Sequence, residues 1–198
     1  MAAILSNLRN TVIAGFVLAA LLLVLFAGSI TFDHAFGAYF MRWLHVLSGV
    51  MWIGLLWYFN FVQIPNMPNI PDDQKPAISK VIAPAALFWF RWGAMGTIVT
   101  GLILAAMNGY LMQALTVGLM DGVAKHAAIG IGMWLGTIMW FNVWFVIWPN
   151  QKIALGIVPE EDAAKKAAAG RTAMLFSRTN TLLSIPMLFC MVAAQNIF

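Results

Sequence analysis

Long runs of apolar residues, separated by short polar segments, set the pattern of this chain. Five such runs cover approximately residues 11–31, 39–64, 84–107, 126–148 and 173–194. At about 1.5 Å per residue, each run is long enough to cross a hydrocarbon core of about 30 Å as an α-helix. The pattern therefore predicts an all-α, polytopic membrane bundle of about five transmembrane helices that forms one domain over residues 1–198.

The composition supports lipid as the solvent of this chain. Charged residues make up 9% of the sequence and hydrophobic residues 62%, whereas a soluble domain carries about 25% charged residues. The net charge of +4 comes from basic residues that stand alone or in pairs between apolar runs, so no patch can follow a phosphate backbone. We expect the lipid bilayer, and no nucleic acid, as a partner.

The basic residues predict the orientation in the membrane, because cytoplasmic loops carry an excess of lysine and arginine. One side of the predicted topology holds Arg9, Lys75, Lys80, Lys152, Lys165, Lys166 and Arg171, with Arg91 and Arg178 near the ends of their spans. The other side holds Arg42 and Lys125. This distribution predicts a cytoplasmic N-terminus and, after five crossings, an outer C-terminus.

Prolines and polar segments predict where the helices end. The segment IPNMPNIP at 64–71 is expected to stop the second span, Pro84 to lie in the first turn of the third, and WPNQK at 148–152 to close the fourth. The connector PEEDAAKKAAAGR at 159–171 predicts a short solvated helix between the last two spans. A surface helix is predicted between the third and fourth spans, with one face formed by Leu111, Met112, Leu115 and Leu119.

The three histidines all fall toward the outer face of the predicted topology. His45 lies near the outer end of the second span and His126 at the outer start of the fourth, while His34 precedes the second span. Imidazoles on two facing helices can hold a haem iron or another transition metal. We therefore predict His45 and His126 as candidate cofactor and metal ligands for one haem b; the alternative is that both are interfacial residues bonded to water or a carbonyl.

Other redox signals are sparse in the sequence. Cys190 is the single cysteine, so no CxxCH motif can attach a c-type haem. Four tryptophans lie deep in the predicted spans, where they either fill the core or form the wall of a cofactor pocket: Trp52, Trp134, Trp140 and Trp144. Gly132 and Gly136 have the spacing of a helix-packing pair.

The inner half of the predicted bundle carries a different set of polar residues. Candidate substrate-binding residues there are Arg91, Asn142, Arg178 and Asn180. No acidic residue lies in a span to pair with either arginine, and guanidinium groups bind planar anions through paired hydrogen bonds. The alternative is that the arginines reach lipid phosphates while the amides join helices.

Four ordered motifs carry a family resemblance. They are WLHVLSGVMWIGLLWYFNF at 43–61, FRWGAM at 90–95, FNVWFVIWPNQK at 141–152 and SRTNTLLSIPMLF at 177–189. Together they resemble the transmembrane domain of the bacterial membrane-bound urate oxidases, or urate hydroxylases, over about residues 38–195. The resemblance implies a multi-pass protein of the bacterial inner membrane and draws attention to Arg42, His45, Arg91, Asn142, Arg178 and Asn180, without assigning a catalytic role to any of them.

Members of that family continue into a C-terminal cytochrome c domain, which these 198 residues lack. We therefore expect electrons to leave to a separate cytochrome acceptor or another membrane subunit. Three hypotheses follow: a redox subunit resembling urate hydroxylase, a single-haem b-type electron-transfer subunit, and a non-catalytic accessory subunit of a larger membrane complex.

Overall fold

A computed structural model describes residues 2–198 and contains five long helices. They are α1 (Leu8–Leu25), α2 (His34–Asn69), α3 (Lys75–Met107), α4 (Ala124–Ala154) and α5 (Ala163–Asn196). Each is long and apolar enough to cross a membrane, and the described residues contain no β-strand. The predicted all-α bundle with five candidate spans is confirmed.

The chain divides into two compact units, one reaching to Tyr39 and the other covering Phe40–Phe198. The first unit contains α1 and the first turns of α2. Asn7 caps α1 by accepting a hydrogen bond from the Asn10 N–H at 3.3 Å, and none of the residues of α1 is buried. That apolar helix therefore needs lipid or another apolar surface around it. One domain over residues 1–198 stays a prediction.

The core of the second unit is built from all four of its helices. Its buried residues are Trp52, Ile53, Leu56, Phe59, Leu87, Phe90, Ala94, Met139, Val143, Ile147 and Met187. The rings of Phe59 on α2 and Phe90 on α3 meet edge to face, with centroids 5.7 Å apart, a favoured aromatic arrangement. This packing fixes α2 against α3.

Small residues on α3 let its backbone approach α2 closely. A methyl group added at Gly93 would lie 3.1 Å from the Trp52 backbone nitrogen, and one added at Gly101 would lie 2.9 Å from Cε1 of His45. Glycine is the residue that permits such approach between membrane helices. The His45 ring consequently lies directly against the backbone of α3.

Three helices continue through prolines. α2 ends at Asn69, within the 64–71 segment expected to stop it, and α4 ends at Ala154, two residues beyond the segment at 148–152 expected to close it. The prediction for Pro84 is wrong, because α3 begins at Lys75 and contains this proline in its interior. A π-helical segment precedes each proline: Tyr58–Gln63 before Pro65, Ile78–Ile82 before Pro84, and Asn142–Ile147 before Pro149. The residue just before each proline donates its N–H to the carbonyl five residues back. The wider turn accommodates the proline, which has no N–H and would clash with the carbonyl four residues back in an α-helix.

The connector and the surface segment also differ from expectation. Asp162 caps α5 by accepting hydrogen bonds from the N–H groups of Ala164 and Lys165, and the connector helix continues into the fifth span without a break. The surface helix is confined to Leu111–Leu115. It ends because Val117 and Gly118 adopt φ values of 53° and 71°, which lie in the left-handed region.

The short helix Leu111–Leu115 is packed tightly against α4. A methyl group added at Gly130 would collide with the carbonyl oxygen of Ala114, which is fully buried. The Trp134 indole also donates to the Leu115 carbonyl at 3.0 Å. A glycine at position 130 is therefore required for Leu111–Leu115 to pack this closely against α4.

We expect Gly130→Ala to lower the thermal unfolding temperature of the detergent-solubilised protein. Overpacking of this kind costs about 1–3 kcal/mol of unfolding free energy. Gly136→Ala is the matched control on the same helix, because nothing lies within 4 Å of the added methyl group. Equal unfolding temperatures for the two variants would contradict this packing.

Candidate functional site

An apolar cavity of about 630 Å³ lies among α2, α3, α4 and α5 in the second unit. Residues from all four helices line it, including His45 and Trp52 of α2, Gly101 of α3, Gly136 of α4 and Met191 of α5. Its volume falls within the range of ligand-binding pockets, which are mostly apolar with a few placed polar groups. The polar groups of this cavity therefore define the ligands it can take.

His45 is held in one tautomer by the backbone of α3. Its Nδ1 lies 2.9 Å from the carbonyl oxygen of Thr97. Because a carbonyl only accepts, Nδ1 carries the proton and Nε2 of the neutral ring carries the lone pair. Nε2 has no hydrogen bond among the described residues. A histidine that donates one N–H to a backbone carbonyl and keeps the other nitrogen free is the usual form of a metal ligand or a hydrogen-bond acceptor.

Thr100 supports the same assignment of the proton on His45. Its Oγ1 lies 3.3 Å from Nδ1, but its hydroxyl already donates to the Gly96 carbonyl at 2.6 Å. The hydroxyl oxygen is therefore an acceptor toward the ring. Two oxygen atoms of α3 thus face the protonated nitrogen of His45.

Three glycines provide free space along the cavity wall. Gly49 and Gly54 on α2 and Gly136 on α4 line the cavity, and a methyl group added at any of them would meet nothing within 4 Å. A ligand can therefore lie against the helix backbone at these positions. Such bare walls suit a flat ring better than a branched molecule.

One buried donor in the cavity wall has no acceptor. Trp52 is only 1% exposed, and its indole N–H has no hydrogen-bond partner among the described residues. Trp57, which also lines the cavity, donates its N–H to Ser184 at 3.0 Å. The indole N–H groups of Trp140 and Trp144 also lack a partner, but these residues do not line the cavity. Trp52 is therefore the unpaired indole that an acceptor in the cavity would satisfy.

Polar residues gather where the cavity meets the segment between α3 and α4. Arg42 and Tyr110 line this end, and the Tyr110 ring is stacked on His126 with centroids 5.8 Å apart. His126 Nδ1 is paired with Asp121 at 2.6 Å. The N–H of Val123 and the His126 ring hold the pKa of Asp121 below its ordinary value, so this carboxylate is ionised and fixes the His126 ring.

Tyr110 has the opposite electrostatic environment. Burial raises the pKa of its phenol, and the nearby positive charge of Arg42 opposes that shift. The phenol therefore stays protonated and can donate a hydrogen bond. The end of the cavity thus offers one neutral donor and one cation.

The two predicted haem ligands lie in different surroundings. His45 lines the cavity, whereas His126 is not among its lining residues and packs against Tyr110 and Asp121. His34, at the start of α2, belongs to the first unit. The structure thus brings one histidine, and not two, to the cavity wall, and haem binding stays a prediction.

The four predicted substrate residues do not form one cluster. Asn142 donates to Asn180 at 2.8 Å, and Asn180 donates to the Met139 carbonyl at 2.9 Å, with both side chains buried. Arg91 lies over the Trp148 ring, with Cζ 3.3 Å from the ring centroid. Arg178 is exposed. The asparagines join α4 to α5 at the π-helical turn, and a substrate role for the four residues stays a prediction.

Several contributors to the cavity were absent from the sequence-based candidates. Thr97, Gly101 and Tyr110 line it, and Asp121 supports its end through His126. The sequence does contain one feature that could have identified Thr97 and Gly101. Small and hydroxyl residues at 93, 96, 97, 100 and 101 lie on one face of α3. Tyr110 and Asp121 carry no comparable pattern, because they lie in an irregular segment.

These features define a multi-pass α-helical membrane protein with an internal apolar cavity. Residues 105–196 match the family model described as urate oxidase N-terminal. The resemblance predicted from the sequence is confirmed over this stretch, which includes the motifs at 141–152 and 177–189 and lies beyond those at 43–61 and 90–95. No curated protein and no solved structure matches the chain.

We expect Asn142→Leu to destabilise the bundle by about 1–3 kcal/mol, because it leaves the buried Asn180 oxygen without a donor. Asn150→Leu is the matched control on α4, since Asn150 donates only to the Val146 carbonyl of its own helix. Thermal unfolding in mild detergent measures the difference. Equal unfolding temperatures would show that the buried amide pair contributes nothing to stability.

Proposed function

We propose that this chain is a redox subunit of a bacterial inner-membrane oxidoreductase, and that it resembles the membrane domain of urate hydroxylase. The observation that carries the proposal is the apolar cavity beside His45, whose wall offers one oriented imidazole lone pair among apolar side chains. Such a site can orient a ligand and exclude competing reactions with water. The family match over α4 and α5 supports the same class of function.

Electrons are proposed to leave this subunit for a separate partner. The sequence contains no CxxCH motif that would attach a c-type haem. We propose that the partner is another component of the membrane, and other membrane subunits are expected to accompany the chain. The cavity is proposed to hold the ligand that takes up the electrons of the reaction, and His45 is the group that contacts this ligand.

Membranes containing the protein are expected to consume urate when an electron acceptor is added, and Gly136→Leu is expected to reduce that rate by at least about tenfold. The leucine would occupy the open space beside Gly136 and displace the ligand, and small displacements of reacting groups cost large factors in rate. Gly15→Leu is the matched control, because Gly15 on α1 also has open space around it and lies outside the cavity. Absence of turnover with several acceptors would contradict the proposal.

A second candidate is a single-haem b-type electron-transfer subunit, which the free Nε2 of His45 favours. The cavity residues fit one haem b: His45 would hold the iron, the glycines would admit the flat ring, and Arg42 would face its carboxylates. When bound, haem supplies one-electron transfer. The wall offers thioethers, including Met191, in place of a second histidine.

A reduced-minus-oxidised absorption spectrum of the purified protein tests this second candidate. Haem bands are expected to be lost in His45→Ala, which removes the ligand, and kept in His34→Ala, which changes a histidine outside the cavity. A featureless spectrum of the unmodified protein would exclude the single-haem candidate. Full haem retention in His45→Ala would show that another residue holds the iron.

A further inference from the structure

We propose that the cavity beside His45 binds a lipid-soluble quinone or its quinol, which serves as the electron carrier of the redox subunit. This inference rests on the proposed function for its role and on the cavity itself for its chemistry. It requires three properties of the site: access from the bilayer, complementary polar groups for a quinone ring, and room for an apolar tail.

Access from the bilayer follows from the exposure of one side of the cavity. Four apolar lining residues, Val46, Val50, Leu102 and Val192, are exposed, with Val50 at 68% and Val192 at 60%. Other lining residues, including Trp52, Ala105 and Met187, are buried. The cavity therefore opens sideways between apolar side chains, and a ligand that enters there must dissolve in lipid.

The polar groups of the cavity match the two oxygen atoms of a quinone or quinol. The Trp52 N–H is a donor without an acceptor, and His45 Nε2 is an acceptor without a donor. A ring carbonyl accepts from an N–H, and a quinol hydroxyl donates to an imidazole lone pair. One ligand class thus satisfies both unpaired groups of the wall.

The remaining wall suits the ring and the tail of such a molecule. Gly49, Gly54 and Gly136 leave flat, open stretches of wall. Met133, Met187 and Met191 line the same space, and methionine adapts its shape to apolar ligands and makes favourable sulfur–aromatic contacts. An isoprenoid tail can leave through the apolar opening beside Val50 and Val192.

The same observations favour a quinone over haem. One histidine reaches the cavity, since His126 is engaged by Asp121 and Tyr110, so a haem there would need a thioether such as that of Met191 opposite His45. Haem ligation by His45 would also give the Trp52 N–H no specific acceptor, whereas a quinone carbonyl supplies one. Haem is therefore the competing outcome in the experiment below.

The redox step balances in atoms and charge. An organic substrate that gains a hydroxyl group from water loses two electrons and two protons. The quinone takes up two electrons and two protons and becomes a quinol, in which both ring oxygens carry hydrogen. The quinol then leaves through the lateral opening and carries the two electrons and two protons into the membrane.

Binding of decylubiquinone to the purified protein in mild detergent tests the site directly. We expect saturable quenching of tryptophan fluorescence. Trp52→Phe keeps the aromatic ring and removes the N–H, and should weaken binding about tenfold, which corresponds to about 1.4 kcal/mol and to the loss of one hydrogen bond. Trp89→Phe is the control, because Trp89 is exposed and lies outside the cavity.

A second pair of variants tests whether the ligand needs the open space beside Gly136, independently of the hydrogen bond from Trp52. Gly136→Leu is expected to abolish saturable binding, while Gly15→Leu should bind like the unmodified protein. An organic extract of the purified protein is expected to contain quinone, and the Gly136→Leu extract should lack it. Unchanged affinity in both Trp52→Phe and Gly136→Leu would overturn the proposal, and so would haem in the extract that His45→Ala removes.

Failure of this inference is distinguishable from failure of the proposed function. Quinone binding without urate turnover would leave the site assigned and remove the proposed reaction. Urate turnover that is unaffected by added quinone, in a protein that does not bind decylubiquinone, would keep the reaction and assign its electrons to another acceptor.

Discussion

The structure depends on one constraint: inside lipid, every backbone N–H and carbonyl must find its partner within the protein. The five long helices meet that requirement through their own hydrogen bonds. Pro65, Pro84 and Pro149 would break it, and a π-helical turn restores the bonding before each of them. Asn180 adds a side-chain donor to the Met139 carbonyl just before one of these turns. Because polar groups are expected to be paired, the unpaired Trp52 indole nitrogen and His45 Nε2 beside the cavity are candidate ligand contacts.

The cavity follows from how closely the helices approach one another. Glycines of α3 bring that helix against α2 and press the His45 ring onto the backbone of α3. Glycines of α2 and α4 leave space in the cavity that the ring also lines. Small residues thus act in two opposite ways: where they face a helix they tighten packing, and where they face nothing they create volume. The oriented imidazole lies at the boundary between these two arrangements.

The sequence was sufficient to predict the helices but not the contacts between them. Runs of apolar residues predicted all five spans because length and hydropathy are local properties. The predicted start of α3 at Pro84 was wrong because a wider turn, which no local rule signals, carries the helix through this proline. His45 was identified as a candidate, but its partner Thr97 is 52 residues away. The separation of His126 from the cavity depends on an irregular segment, and sequence periodicity does not describe such segments.

The π-helical turns also act as phase shifts in the bundle. Each residue of an α-helix advances the side-chain direction by about 100°, so one extra residue in a turn rotates everything that follows by about that angle. The faces of α4 before and after Asn142–Ile147 are therefore set independently, although they belong to one helix. Asn142 can face α5 while Trp148, six residues later, lies over Arg91 of α3. One helix thereby contacts two neighbouring helices at two positions along its length, although its apolar residues do not follow a single α-helical period.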